Sequence, residues 1–382
     1  MDGPQRSGRW LRAAVVALAL LGLGAFVVAE WDQVVDAVDL LAHADWAWIA
    51  IGSATSIVSI VLFAGVRSVL LAAGGAHLPL GRATTASFAS GAIAATLPAG
   101  GALATGYMVQ RYREAGADGG LAGWTTIATG VVAPAVLVFM TLAGYALAGE
   151  DPRRALLPGA IALALLAAFF VVTRNPWVLR RPAEWCVRAW LALRRLVTPR
   201  SVVQKQRDPS GSAQQNERAG EARAAADRFV ESFGAVRAGP WRWSAAWALQ
   251  VVSWIGEFVA LVAAVAAMGG EVPSDASTWG SLLAIYGTSQ LAGAVPIIPG
   301  GAGQVEAALV VGLTATGTDA STALAASVAF RLMSHWLVVP IGWVCVVLLR
   351  RKGVDIPRAS DADPDTSGPF GPDPIERLEP GG

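Results

Sequence analysis

Three charged residues lie inside long apolar stretches of the chain, and they are the side chains best placed to do chemistry. They are Glu257, Glu306 and Arg331. At the centre of a bilayer each such charge costs roughly 2.5–3.5 kcal/mol on insertion scales, so three without partners would cost on the order of 8–10 kcal/mol. That penalty is comparable to the stability of a whole domain. We therefore expect these side chains to pair, to face a wet cavity or to be neutralised.

Helical spacing places further polar side chains beside two of these charges. Residues three, four, seven or eight positions apart lie on one face of an α-helix. By this rule one face carries Gln250, Ser253 and Glu257, and another carries Ser327, Arg331, Ser334 and His335. We expect the two faces to line a shared polar cavity. His335 has two interpretations, either a packed and hydrogen-bonded side chain or a protonation switch.

Glu306 follows Gly301-Ala302-Gly303, where a new helix is expected to begin. Free backbone N–H groups at a helix N-terminus form an anion site, and a carboxylate in the first turn also satisfies the helix dipole. One interpretation makes Glu306 only a cap. The other places Glu306 and Arg331 across a polar pocket, where they bind a head group or exchange a proton. Arg67 is explained either by function or by snorkelling of its guanidinium to lipid phosphates.

The composition indicates which kind of molecule holds these charges. Of 382 residues, 54% are hydrophobic and only 15% are charged, against about 25% charged in an ordinary soluble domain. The 15 Trp residues fit a chain with many membrane–water boundaries, where indole rings prefer to lie. A disordered chain is excluded and a soluble enzyme is disfavoured. The net charge of +1 implies no bulk affinity for nucleic acid.

Metal and redox chemistry find no support in the sequence. Cys186 and Cys345 are far apart and fit neither a disulfide framework nor a zinc site, and the three His residues show no metal-ligand spacing. We expect no cofactor. A nucleophile with an adjacent base and a nucleotide motif are also missing, so a membrane-embedded transferase is disfavoured and we expect no enzyme.

Charge-free stretches and the positive-inside rule predict six membrane-spanning helices. Basic residues cluster before the first stretch, in the segment 174–242 with 14 basic and 6 acidic residues, and after the last stretch. Six crossings place all three clusters in the cytoplasm: 11–29, 46–72, 120–148, 155–173, 242–268 and 320–349. Both termini then lie on the cytoplasmic side of a bacterial-type plasma membrane. The first stretch also fits a signal peptide ending at Ala29, but the polytopic remainder favours a retained helix.

Two further apolar stretches, 83–110 and 280–316, are interrupted by proline and glycine. The interruptions are Leu97-Pro98-Ala99-Gly100-Gly101 and Pro296-Ile297-Ile298-Pro299-Gly300-Gly301-Ala302-Gly303. Half of the first stretch is about 14 residues, roughly 21 Å of helix, which is too short to cross about 30 Å of hydrocarbon. We therefore predict re-entrant hairpins whose broken backbone is buried at membrane depth. The alternative is that proline and glycine only kink ordinary helices.

The order helix, hairpin, helix occurs twice, over 46–148 and over 242–349. The first helix of one copy runs from outside to inside and that of the other from inside to outside. The sequence thus predicts an all-α polytopic membrane protein with an inverted repeat, which is typical of transporters. We divide the chain into an N-terminal helix with an acidic outer loop (1–45), a first repeat with an extra helix (46–173), a basic cytoplasmic loop (174–241), a second repeat (242–352) and a disordered acidic tail (353–382).

Both hairpins resemble motifs of a known membrane family. The run from Leu97 to Gly101, followed by Tyr107 and Arg111-Tyr112-Arg113-Glu114-Ala115-Gly116, is similar to the first motif of the lysylphosphatidylglycerol synthase transmembrane family, also called flippase-like membrane proteins. The run from Pro299 to Glu306 resembles that family's second motif, and Arg331 follows at the family's spacing. Arg67 is similar to an arginine that the family often shows before its first hairpin. The resemblance covers roughly residues 10–350.

The resemblance implies a lipid-handling integral membrane protein. In bifunctional members this region is thought to move an aminoacylated phospholipid across the bilayer, while a separate soluble domain makes that lipid. Neither the 174–241 loop nor the tail is expected to hold such a domain, so the synthase activity is not carried over. The family's first motif often has an acidic residue after its glycine, whereas Ala102 and Leu103 follow Gly101 here. The second hairpin must then supply any acid that binds a head group or a proton.

Two functions fit the sequence. The favoured one is a transporter or flippase for a phospholipid or polyprenyl-phosphate-type lipid, whose anionic or zwitterionic head arginines and half-helix N-termini would hold. The candidate binding residues are Glu306, Arg331, Glu257, Arg67, His335, Pro98, Gly100, Gly101, Pro299, Gly300, Gly301 and Gly303. The alternative is a non-transporting membrane scaffold or accessory subunit in cell-envelope lipid metabolism. Its basic loop would dock a second copy of the chain or an envelope-synthesis protein.

Overall fold

The computed structural model describes residues 42–97, 100–149, 229–293 and 303–351, with residue 227 and a few isolated positions between 160 and 177. This part of the chain consists of α-helices joined by short turns and contains no strand. The predicted crossing at 11–29, nearly all of that at 155–173, most of the basic loop and the acidic tail lie outside the described residues.

The helices follow the predicted order of two copies. They are α1 (Trp46–Leu71), α2 (Leu80–Thr96), α3 (Gly100–Glu114), α4 (Gly119–Leu147), α5 (Pro240–Ala267), α6 (Ala276–Gly293), α7 (Gln304–Ala315), α8 (Ala320–Arg331) and α9 (Val338–Arg351). In the described ranges, four helical segments are long and apolar enough to cross a membrane: Trp46–Gly74, Gly119–Leu147, Pro240–Ala267 and Ala320–Leu349. They match four of the six predicted crossings.

Aspartate side chains begin several of these helices. Asp45 and Asp118 each accept a backbone hydrogen bond, at 2.8 and 2.7 Å, in the first turns of α1 and α4. Asp275 and Asp319 accept backbone hydrogen bonds in the same way at the starts of α6 and α8. The first four N–H groups of a helix have no partner within it, so each carboxylate satisfies a donor that would otherwise be left open. These aspartates therefore fix where the apolar segments begin.

Two helical hairpins occupy the two interrupted stretches. α2 packs against α3, and α6 packs against α7. Their 17, 15, 18 and 12 residues form arms of about 26, 22, 27 and 18 Å. The first turn is narrow, because a Cβ on Gly100 would lie only 2.4 Å from the carbonyl oxygen of Ala94. The tips, which contain Pro98 in one hairpin and 294–302 in the other, lie outside the described residues.

The two copies pack against each other reciprocally. α1 lies along α5, its counterpart in the second copy. α2 of the first hairpin packs on α9 of the second copy, and α6 of the second hairpin packs on α4 of the first copy. A two-fold relation between two repeats produces this exchange of partners. Each hairpin is thus held mainly by the copy to which it does not belong.

Small residues bring these helices close together. At the α1–α5 contact, the Ser59 and Ser253 hydroxyl oxygens are 3.1 Å apart. A Cβ on Gly342 of α9 would lie 2.3 Å from the Phe88 carbonyl oxygen of α2, and one on Gly144 of α4 would lie 2.6 Å from the Ala284 nitrogen of α6. Lipid tails are as apolar as leucine, so membrane helices associate through such close packing rather than through the hydrophobic effect.

A π-helical turn joins the last two helices. It spans Leu332–Trp336, directly after Arg331, and the Leu337 N–H donates to the Leu332 carbonyl oxygen at 2.9 Å. π-bulges of this kind occur frequently at functional sites, because the extra residue reorients the side chains of one turn. The turn therefore marks the part of the second copy where the charged residues lie.

Candidate functional site

Arg331 and Glu306 form an ion pair between α8 and the start of α7. The Arg331 Nε donates to Glu306 Oε1 at 2.8 Å. The Arg331 side chain is 10% exposed and that of Glu306 is 23% exposed, so solvent screens the pair only weakly. The sequence predicted this pair, and pairing removes much of the cost of holding the two charges among apolar helices.

Glu306 is at the same time the cap of α7. Its second carboxylate oxygen, Oε2, accepts a hydrogen bond from the Gly303 N–H at 2.8 Å. Gly303 has a φ of +82°, which glycine adopts without the steric cost of a Cβ. One carboxylate oxygen of Glu306 therefore caps the helix, and the other binds Arg331. The carboxylate is fixed at the first turn of α7, immediately after the 294–302 tip.

Glu257 reaches the same group from α5. Its carboxylate is half-buried, lies within electrostatic range of Arg331 and is adjacent to the hydroxyl of Tyr286 on α6. The Tyr286 hydroxyl is fully buried but makes no hydrogen bond of normal geometry with a described residue. The Tyr286 ring is held by edge contacts with Trp254 and Phe330, each at 6.3 Å between centroids. Tyr286 is a site residue that the sequence analysis missed.

His335 completes the group from the π-helical turn. It is half-buried, lies within electrostatic range of both Arg331 and Glu306, and its ring stands perpendicular to that of Trp336 at 6.4 Å. Four of the predicted site residues thus come together around the Arg331 guanidinium. They are Glu306, Arg331, Glu257 and His335.

Arg67 lies elsewhere, on α1, where its side chain contacts both arms of the first hairpin. Its Nη1 donates to the Ser87 hydroxyl of α2 at 2.8 Å and lies 3.7 Å from the sulfur of Met108 on α3. Its guanidinium also stacks over the Phe63 ring at 4.4 Å. These contacts tie α1 to both arms of the hairpin. Arg67 therefore belongs to the packing of the first hairpin and not to the group around Arg331.

Several predicted polar residues have other partners. The Ser253 hydroxyl donates to the Ser59 carbonyl oxygen at 2.9 Å and so belongs to the α1–α5 contact. The Ser327 hydroxyl donates to the Leu324 carbonyl oxygen of its own helix at 2.8 Å. Gly100 makes the narrow turn, whereas Gly101 is exposed. The remaining predicted residues lie outside the described ranges: Pro98, Pro299, Gly300 and Gly301.

Metal ligands do not gather in the described ranges. No group of three or more His, Cys, Asp or Glu residues comes together there in a way that could hold a metal ion. What the group around Arg331 can do chemically is to bind an anion, to exchange a proton through a carboxylate, or both.

Residues 10–342 match the family described as the lysylphosphatidylglycerol synthase TM region. The chain belongs to this family. The matched range includes both hairpins and the whole group around Arg331, and it ends within α9. With the four candidate spans, membership identifies a multi-pass integral membrane protein. No curated protein matches the chain.

The structure shows where the two family motifs lie in the two hairpins. The second motif ends at Glu306, whose carboxylate meets the Arg331 that follows it in sequence. The first motif supplies the narrow turn at Gly100 and, further along α3, the buried Arg111. Arg111 was noticed only through the resemblance. Its spacing from Tyr107 and Glu114, four and three positions, would have placed all three on one helix face.

Proposed function

We propose that the protein is a non-enzymatic lipid transporter of the flippase type, which takes a phospholipid or a polyprenyl-phosphate-type lipid. The observation that carries the proposal is the ion pair between the buried Arg331 and the partly buried Glu306, at the start of the second arm of a broken hairpin. Buried ionisable groups at a broken membrane helix are typical of substrate pathways. Membership of a lipid-linked transmembrane family supports the same substrate class.

The hairpin geometry supports a site at the membrane midplane. The α7 arm of about 18 Å is shorter than the roughly 30 Å of hydrocarbon, and the α3 arm of about 22 Å is also shorter. In our proposal both hairpins are re-entrant, one from each face, and both termini lie in the cytoplasm of a bacterial-type plasma membrane. Arg331, eleven residues after the start of α8 at Ala320, then lies about 16 Å below the outer surface.

The ion pair suggests how a head group is taken up. The arriving phosphate competes with Glu306 for the Arg331 guanidinium, because arginine binds phosphate and carboxylate oxygens in the same way. Glu306 keeps its bond to the Gly303 N–H and so holds the start of α7 in place while Arg331 changes partner. Glu257 balances the positive charge from the side of α5. The lipid tails stay in the bilayer throughout.

Reconstituted vesicles test this function. Wild type and the Glu306→Gln and Arg331→Ala variants are placed in liposomes with a fluorescent phospholipid, and its exposure to a membrane-impermeant quencher is followed. We expect lipid transfer in the wild type and its loss in both variants. Arg82→Gln, which removes an exposed arginine at the start of α2, is the matched control and should transfer normally. Unchanged transfer in both site variants would refute the site.

A scaffold function is the second candidate, and the charge of the central loop favours it. The segment 174–242 carries 14 basic and 6 acidic residues, enough to dock an acidic partner or an anionic membrane surface. In that case a second copy or an envelope-synthesis protein is the partner. Deletion of the loop should then abolish activity in cells, whereas the Glu306→Gln variant should remain active. The transporter proposal predicts that Glu306→Gln has a larger effect than deletion of the loop.

A further inference from the structure

Arg111, on the α3 arm of the first hairpin, carries a charge that its surroundings only partly compensate. The residue is 5% exposed. Its Nη1 pairs with Glu114 Oε2 at 2.9 Å, and its guanidinium stacks over the Tyr107 ring at 4.9 Å. Its Nε and Nη2 are buried and have no hydrogen-bond partner among the described residues. Buried donors left without partners are rare, because each loses its bond to water and gains nothing.

The two open nitrogens have a particular geometry. Nε and Nη2 lie on one edge of the planar guanidinium and point their N–H groups in parallel. This edge binds two oxygens of a phosphate or carboxylate at once, which is the strongest arrangement that arginine offers. Glu114 occupies only the other end of the group.

Two other polar side-chain atoms on α3 also have no hydrogen-bond partner among the described residues. They are the buried Tyr107 hydroxyl oxygen and the buried Gln110 Oε1. Tyr107, Gln110, Arg111 and Glu114 are spaced i, i+3, i+4 and i+7, so they form one stripe along α3. A hydroxyl and an amide beside an open arginine edge supply the remaining contacts that a phosphate with a polar head group requires.

The surroundings of this stripe favour a lipid. Tyr107 lies within electrostatic range of Cys345 on α9, and Tyr107 and Val346 belong to the same packed cluster. The outward face of α9 exposes large apolar side chains, with Val344 at 58%, Val347 at 47% and Leu348 at 51%. These exposed side chains lie on the face of α9 turned away from Val346, so the acyl chain of a lipid held at Arg111 would reach them by passing around the edge of α9.

We propose that Arg111, with Tyr107, binds the phosphate of a lipid from the leaflet that faces the α3–α4 turn. Glu114, whose side chain is 31% exposed, stays paired with Nη1 while the phosphate takes the open Nε and Nη2 edge. This site is separate from the Glu306–Arg331 pair. It does not depend on transport.

Binding of a short-chain lipid to the purified full-length protein tests this site. Dihexanoylphosphatidylglycerol is titrated by calorimetry in a detergent without phosphate. We expect saturable binding to the wild type. Arg111→Lys keeps the charge but loses the two-pronged edge, and it should weaken binding at least tenfold, since hydrogen bonds to charged groups are worth about 1.5–3 kcal/mol. Arg82→Lys, an exposed arginine changed in the same way, should bind as the wild type does.

Two further measurements keep the outcome unambiguous. Tyr107→Phe removes one oxygen atom while the ring stays stacked on Arg111, and it should weaken binding several-fold even if Arg111→Lys is unstable. Inorganic phosphate should bind much more weakly than the lipid, because it gains no apolar contact. Equal affinity of the wild type and both site variants, absence of saturable binding, or equally tight binding of inorganic phosphate would each overturn the proposal. In the Glu306→Gln/Arg331→Ala double variant, which removes the pair to which we assign transport, the component of binding that Arg111→Lys weakens should remain, and this separates the Arg111 site from that pair.

Discussion

Glu306 shows how one side chain can both cap a helix and hold an ion pair. One oxygen caps α7 and the other binds Arg331. The sequence predicted the pair because charges in apolar stretches must find partners. Tyr286 was missed because its position beside Glu257 depends on how α5 packs against α6, which no local pattern encodes. The open edge of Arg111 was missed for the same reason.

Neutralising one member of the ion pair should cost more stability than neutralising both. Glu306→Gln leaves Arg331, the more buried partner, without its carboxylate, and we expect a loss of about 3 kcal/mol in the free energy of unfolding. Adding Arg331→Met should recover much of that loss, because the buried guanidinium that has lost Glu306 is then removed. Chemical denaturation in detergent measures both values. A double variant less stable than Glu306→Gln would contradict this account.

At the scale of the helices, the pattern of apolar residues was enough to predict most of the helix positions. The crossing predicted at 120–148 is α4 at Gly119–Leu147, and both hairpins begin three or four residues earlier than expected, at Leu80 and Ala276. For α6 the cap explains the shift, since Asp275 accepts hydrogen bonds from the Ser277 and Thr278 N–H groups and the helix begins at the residue after Asp275. The π-helical turn after Arg331 was not predicted, because it follows from packing around that residue and leaves no mark in hydropathy.

Close packing between helices gives a prediction at this scale. Gly342→Ala would place a Cβ 2.3 Å from the Phe88 carbonyl oxygen, so α9 must move away from α2. We expect a loss of about 1–3 kcal/mol, as for other overpacked sites. Gly130→Ala on α4 meets nothing within 4 Å and should stabilise the protein by up to about 1 kcal/mol. Thermal unfolding of both variants compares them, and equal effects would refute the packing argument.

The helix caps make stability depend on pH. Hydrogen bonds from Ser277 and Thr278 lower the pKa of Asp275, and those from Ser321 and Thr322 lower the pKa of Asp319. A lowered pKa means that the stabilisation is complete above the usual aspartate pKa of about 3.9 and is lost as the pH falls through the folded value. The melting temperature should therefore decrease when the pH is lowered below about 4. Asp275→Asn/Asp319→Asn, which keeps cap oxygens without the charge, should melt with a smaller acid dependence.

At the scale of the whole molecule, the two copies exchange packing partners, and the charge distribution predicts that the copies are inverted relative to each other. The turn before α2 and the turn before α6 should then lie on opposite sides of the membrane. His77 and Ser274 are exposed in these turns. The sequence could not show which copy holds each hairpin, because that depends on contacts between residues more than a hundred positions apart.

Labelling of single cysteines tests this arrangement. In a chain without Cys186 and Cys345, His77→Cys should react with a membrane-impermeant thiol reagent only after the cells are opened. Ser274→Cys should react in intact cells. The inverted arrangement requires this difference, and labelling of both positions from the same side would rule it out.

Because α2 packs on a helix of the other copy, its packing partner is synthesised much later than α2 itself. Phe88 on α2 is made long before Gly342, the residue it touches on α9. At about 5–20 residues per second, the first hairpin waits on the order of 10–50 seconds for its partner to leave the ribosome. During that time its polar side chains and Arg111 depend on the insertion machinery or on lipid. A premature stop codon before α9 would therefore leave the earliest hairpin of the nascent chain exposed to quality-control proteases.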